Sequence, residues 1–144
     1  MTEPRGVIRR PDGESLRILL NEAASEGSLG AVEMTMDPGS SGPPLHVHPT
    51  HAEAFYVLSG ELSFQLGDEV ITGGPGTWAC APKGVAHTLA NLGSAEGRVL
   101  CLFAPAGFER RFERMVATEP DEATADLSTA ERSTQVIGPP LTNR

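Results

Sequence analysis

Residues 45–62 read LHVHPTHAEAFYVLSGEL, and this stretch decides the fold. It divides at Pro49–Thr50 and Ser59–Gly60, two turn signals that leave the short runs Leu45–His48 and Glu53–Leu58 and open a third, Glu61–Leu66. Short runs closed by such turns, with aromatic and β-branched residues among them, predict strands. Alternation along a strand then fixes directions. His46 and His48 share one face, and Val47 takes the other. Phe55 and Val57 lie on the Glu53 face, with Tyr56 and Leu58 opposite.

The same rhythm continues outward. Downstream, Glu69–Thr72, Thr77–Ala81, Ala86–Asn91 and Arg98–Ala104 are strand-like runs, broken at Gly67–Asp68, Pro82–Gly84 and Gly93–Gly97. Upstream, the turn-rich loop Asp37–Pro44 follows Ala31–Met36, in which Val32, Met34 and Met36 alternate with Glu33 and Thr35. Leu16–Leu20 and a short segment at Val7–Arg9 come before it. The 16 glycines and 12 prolines punctuate these runs and do not cluster. Together they predict an all-β sandwich or barrel.

After Gly107 the period changes. Phe108, Phe112, Met115 and Val116 recur at helical spacing, with charged residues between them. A second helix is expected after Pro120, with Asp126 or Ser128 as N-cap and Glu131 completing a capping box with Ser128. Val136–Leu141 reads as extended. The 144 residues fit one domain spanning 1–144, with the barrel over about 5–105 and a helical C-terminal extension over about 107–135. The helices are expected to lie as a lid against one barrel face.

Acidic residues outnumber basic ones, 19 to 11, for a formal charge of −8. A net negative surface repels phosphate backbones, which argues against nucleic acid as a partner. Glu119, Asp121, Glu122 and Asp126 concentrate part of that charge in a stretch that reads as solvated. Nothing near residue 1 resembles a signal peptide, and no apolar run approaches the ~18 residues of a transmembrane helix. The expectation is a cytoplasmic chain with no membrane partner. Cys80 and Cys101 then stay reduced, each in apolar surroundings as a small core residue.

Four side chains carry metal chemistry. His46 and His48 converge from one strand face. Glu53 follows a short Pro-containing turn, from which its carboxylate can aim at the same centre. His87 follows Glu53 by 34 residues, just past the Pro82-Lys83-Gly84 turn, on a strand that a barrel can bring alongside. Imidazole nitrogen with one carboxylate suits a divalent first-row transition metal (Fe, Mn, Co, Ni, Cu or Zn) and suits Ca or Mg poorly. In an octahedral shell, four ligands leave two positions for water, substrate or oxygen, an arrangement for chemistry and not for a closed structural site.

The spacing of these residues resembles the two signature motifs of the cupin superfamily. The first reads His46-x-His48, four residues, Glu53, six residues, Gly60. The second reads Gly76, five residues, Pro82-x-Gly84, two residues, His87, three residues, Asn91. The second matches at every defined position. The first departs at its start, because Gly39 lies one residue too far from His46 and Gly42 too close. The 15 residues between Gly60 and Gly76 are similar to the spacing in small single-domain bacterial cupins. The resemblance implies a jelly-roll β-barrel and a metal held by His46, His48, Glu53 and His87. It also implies a homodimer, for which Tyr56 and Leu58 would supply an outer apolar face. Gly60, Pro82 and Gly84 then need only turn roles, and Asn91 a structural one.

The run FYVLSGEL and the ending IGPPL further resemble quercetin-dioxygenase-like cupins, which implies an oxygenase acting on a small enol or phenolic compound, with Glu53 as the catalytic base. The alternatives are a metal-dependent isomerase, lyase or hydrolase, and a non-enzymatic small-molecule binder. Phe55 and Val57 are expected to line the substrate pocket, with Phe64, Trp78, Leu100 and Phe103 as further candidates for lining or core. His51 is expected at the pocket mouth or exposed, with a supporting or acid–base role as the other reading.

Overall fold

The computed structural model describes residues 5–9 by backbone, and residues 14–116 and 127–142. Eleven strands form among them: β1 (Arg5–Arg9), β2 (Glu14–Leu20), β3 (Gly30–Met36), β4 (Pro44–Val47), β5 (Ala52–Ser59), β6 (Leu62–Leu66), β7 (Glu69–Gly73), β8 (Trp78–Ala81), β9 (His87–Ala90), β10 (Gly97–Ala104) and β11 (Gln135–Pro140). Among the described residues two short helices, α1 (Arg110–Val116) and α2 (Thr129–Ser133), stand between β10 and β11. Strands occur where alternation predicts them, and most ends move by one or two residues.

The strands make two antiparallel sheets, one in the order β1-β2-β3-β10-β5-β8 and the other β11-β4-β9-β6-β7. Sequence neighbours often fall in different sheets, as in a jelly roll. Inward-facing residues of both sheets form one core that includes Leu16, Val32, Met36, Phe55, Val57, Leu62, Phe64, Val99 and Phe103, each buried. Phe55 and Phe64 meet across it with ring centroids 5.1 Å apart.

Gly60 shows how the turns hold this frame. Its φ of 72° lies in the left-handed region, and a Cβ there would sit 2.3 Å from the Glu96 carbonyl oxygen. Asn91 proves structural. Its amide nitrogen donates to the Met36 and Ala95 carbonyls, and its oxygen accepts from Gly93 N–H.

The C-terminal segment is more than a lid. Phe108 and Phe112 enter the core cluster, as does Ala130 of α2. Ser128 caps α2 with the expected box, its side chain accepting from Glu131 N–H while the Glu131 carboxylate accepts from Ser128 N–H. Asp126, the other N-cap candidate, lies outside the described residues, as does the acidic stretch from Glu119. The Arg114 guanidinium pairs with the Glu131 carboxylate and joins the helices. β11 then adds to the edge of β4, with Val136 opposite His46.

One expectation on the cysteines is corrected. Cys101 is buried but Cys80 is exposed. On β8 the inward positions belong to Ala79 and Ala81, so Cys80 faces out beside Trp78. None of the described helices is long and apolar enough to cross a membrane.

Candidate metal centre

His46, His48, Glu53 and His87 converge between the two sheets, with one donor atom of each within 4.8 Å of all the others. Sheet pairing explains the convergence. His46 and His87 are register partners on β4 and β9, so both rings leave the same face of one sheet. His48 follows two residues on, just past the end of β4, where Gly84 N–H donates to its carbonyl oxygen at 2.9 Å. The Pro82–Gly84 turn thus fixes the second histidine as well as the approach to the third. Glu53 comes from β5 in the opposite sheet, paired with Phe103 of β10 and Ala81 of β8.

Each ring has its proton assigned by a neighbour. His46 Nδ1–H donates to the Pro44 carbonyl at 2.7 Å, and His87 Nδ1–H to the Val85 carbonyl at 3.0 Å. A carbonyl accepts only, so in the neutral ring it is Nε2 that carries the lone pair and faces inward, whereas a protonated His87 donates Nε2–H to Glu53 Oε1 at 3.1 Å. His48 Nδ1 lies 2.7 Å from Thr134 Oγ1, and the Thr134 hydroxyl donates to the Ala130 carbonyl. The third ring therefore has the same tautomer.

His48 Nε2 is buried without a hydrogen-bond partner. It lies 3.2 Å from Glu53 Oε1, and His87 Nε2 lies 3.1 Å from the same oxygen. Adjacent donors around a transition metal, at bond lengths of ~2.1 Å, stand about 3 Å apart. Three imidazole nitrogens, one of them buried without a hydrogen-bond partner, and one carboxylate are thus the donor set a divalent metal needs, and the residues fit one.

The electrostatics agree. Burial alone would push the Glu53 carboxyl up. The imidazoles of His48 and His87 outweigh it and hold the carboxyl well below the usual carboxylate range, so it is ionised. Burial lowers His46 to about 4, which leaves that ring neutral at physiological pH. His87 shifts the other way. Burial opposes its charge, but the hydrogen bond and charge of Glu53, with the Val85 carbonyl, raise its pKa.

Beside the four donors lies a cavity of about 240 Å³, lined by His46, Glu53, Phe55, His87, Met34, Leu89, Phe108 and Phe112, with Glu14, Arg111 and the Gly42–Pro44 loop completing its wall. The structure thus places Phe55 at the cavity. Val57, Phe64 and Phe103 are buried in the core and do not line it. Leu100 alternates outward on β10 between buried Val99 and Cys101.

Two expectations are corrected. Trp78 is 54 % exposed on the outer face of β8, opposite Tyr56 and away from the cavity, because Ala79 and Ala81 take the inward positions of that strand. His51 is neither exposed nor at the pocket mouth. It is 1 % exposed, stacked against His48 with centroids 4.3 Å apart and against Phe108 at 5.3 Å. Burial, with the charge of His48, lowers its pKa to about 4. Its Nδ1 shares a 3.0 Å hydrogen bond with Thr50 Oγ1.

Sequence reasoning missed Phe108 and Phe112 as cavity walls. Their helical spacing marked an apolar face but not what it covers. It also missed Thr134, because nothing in the sequence links position 134 to position 48.

The chain is similar to solved structures of this architecture. KdgF from Halomonas sp. matches at 25 % identity and a TM-score of 0.62, over 70 % of this chain and 86 % of that one. A predicted oxalate decarboxylase from Thermotoga maritima matches at 23 % identity and a TM-score of 0.62, over 69 % and 90 %. In sequence, an uncharacterised protein of Methanocaldococcus jannaschii is 28 % identical over 94 residues, covering 65 % of this chain and 75 % of that protein. The Cupin domain family matches residues 32–103, half of the chain and the part that carries all four donors, so this protein belongs to the cupin domain family.

Proposed function

We propose that this cupin is a metal-dependent enzyme that holds one divalent first-row transition metal on His46, His48, Glu53 and His87 and acts as an oxygenase on a small enol or phenolic compound. The observation that carries the reading is the orphaned Nε2 of His48, facing the ionised Glu53 carboxylate within a four-donor cluster that opens on a cavity. A metal there supplies Lewis acidity and, for a redox-active ion, electron transfer.

The chain's own residues supply the rest. Glu53 is ionised and lines the cavity, so it can accept the proton of a substrate hydroxyl. Phe55, Phe108, Phe112, Met34 and Leu89 give the cavity an apolar wall that receives a ring and keeps water off it. The space, about 240 Å³, suits a small enol or phenolic compound. Glu14 and Arg111 are the charged groups of the wall beside Glu53, and they suit orientation of polar substituents.

The test is metal analysis of the purified protein, followed by an oxygen-electrode screen of single-ring phenols, diketones and flavonols. Fe, Mn, Ni or Cu with oxygen uptake supports the oxygenase. Zn with turnover but no oxygen uptake would move the assignment to an isomerase, lyase or hydrolase. Binding without turnover of any compound would make the protein a small-molecule binder.

A further inference from the structure

Thr134 stands at the C-cap of α2, outside the stretch matched by the cupin domain family, yet its hydroxyl lies 2.7 Å from His48 Nδ1. On His46 and His87, backbone carbonyls of residues two positions away decide which ring nitrogen carries the proton. On His48 a side chain decides, and the choice has a competitor. Glu53 Oε1 is 3.2 Å from His48 Nε2, so a proton on Nε2 would have a carboxylate at hand and would close that nitrogen to a cation. Thr134 opposes that outcome. Its own proton is committed to the Ala130 carbonyl at 2.8 Å, so it offers only lone pairs to the ring.

We infer that Thr134 is a positioning residue of the metal centre: by accepting Nδ1–H of His48 it keeps Nε2 unprotonated and directed at a divalent transition cation. The inference rests on the metal reading above for its cation, but its tautomer claim stands on hydrogen-bond geometry alone.

Thr134 is held from both sides. The Ser128–Glu131 capping box and the Arg114–Glu131 ion pair fix α2 before it, and Ala130 is buried in the core. Immediately after it, Gln135 and Val136 pair with Val47 and His46 of the metal-bearing strand. The C-terminal segment thereby reaches two histidines at once, one through the sheet ladder and one through a hydroxyl. A neighbour that holds a ligand imidazole in one tautomer typically changes metal affinity 10–100-fold when removed.

The experiment compares wild type, Thr134→Val and Thr134→Ser. In the metal-free proteins, long-range ¹H–¹⁵N correlation of the imidazoles reports which nitrogen of His48 is protonated. Wild type and Thr134→Ser are expected to carry the proton on Nδ1, and Thr134→Val on Nε2, facing Glu53. In calorimetric titration with Ni²⁺ alone, Thr134→Val is expected to bind roughly 10–100-fold more weakly, with Thr134→Ser within about threefold of wild type. Circular dichroism establishes that each variant is folded. Proton retention on Nδ1 in Thr134→Val, or wild-type Ni²⁺ affinity in that variant, overturns the inference. A wild-type spectrum with His48 protonated on Nε2 overturns it without any variant, so a failure of Thr134→Val to fold does not shelter it. If wild type binds no Ni²⁺, the metal-enzyme reading falls, and the imidazole spectra alone decide the role of Thr134.

Discussion

His46 and His87 face each other as register partners across β4 and β9, their ring centroids 4.6 Å apart. The ladder that holds them is backbone, so the rings can be removed without dismantling it. His46→Ala and His87→Ala are each expected to remain folded while losing most bound metal. The measurement is metal content per chain beside circular dichroism. Full occupancy in both variants would remove these residues from the donor set.

Glu53 separates binding from turnover. Three neutral imidazoles can hold a divalent metal, so Glu53→Gln should reduce metal affinity only in part. Loss of a general base typically costs about 10²–10⁴-fold in rate. Turnover per bound metal is therefore expected to fall by that range once a substrate is in hand, with substrate affinity changed much less. An unchanged rate per metal would exclude Glu53 as the base.

The metal-free protein should be most stable near pH 6.5. His46 and His51 are held to about 4 in the fold, chiefly by burial, whereas the unfolded chain protonates them from 6.5 downward. The unfolded state then binds more protons, so stability falls as pH drops from about 6.5 to about 4. Glu53, held low, adds to that loss, since its contribution is present above 4.5 and disappears as pH falls through its folded pKa. His87 has the opposite sign. Its raised pKa contributes stability that is complete below 6.5 and is lost as pH rises through the folded value. Urea midpoints measured from pH 4.5 to 8 should therefore pass through a maximum, and a flat profile would contradict these shifts.

The two cysteines should differ sharply toward a thiol reagent. Cys80 is exposed on β8, while Cys101 is buried and burial pushes its thiol well above the ordinary range. One equivalent is expected to react in the folded protein, mapped to Cys80 by peptide analysis, and the second only in denaturant. Equal rates at both positions would mean that the core around Cys101 opens readily.

Tyr56, Leu58 and Trp78 are exposed on the outer face of β5 and β8, and Tyr56 and Trp78 are register partners. A homodimer through this face is the expected assembly. Sedimentation at micromolar concentration should give the mass of two chains, and Trp78→Glu should shift it toward one. A wild-type monomer would rule the assembly out.

The sequence made strands legible where inward and outward residues differ in kind, as along Val32–Met36 and Glu53–Leu58. It made the donor set legible because histidine is rare, with only four in the chain, and three of them fall in or just past strands that topology brings together. His51 was less legible. A residue two places after a proline in a turn reads as exposed, but Phe103 and Phe108, folding back from more than fifty positions away, pack against it. Trp78 misled for a related reason. A large aromatic in an apolar run does not reveal which face it takes, and small Ala79 and Ala81 pack inward on β8.

The pairing of β4 with β11 also sets an order of events during synthesis. β4 emerges from the ribosome about ninety residues ahead of the strand that covers its edge, and at roughly 5–20 residues per second that interval lasts several seconds or longer. Throughout it, the unpaired backbone of Pro44–Val47 is open to a strand from another nascent chain. A chain released before residue 135 is translated keeps that edge permanently uncovered. Such truncated products are expected to associate through the β4 edge, a contact that β11 closes in the full-length chain, which makes the arrival of β11 the step that ends the vulnerable period of this protein's biogenesis.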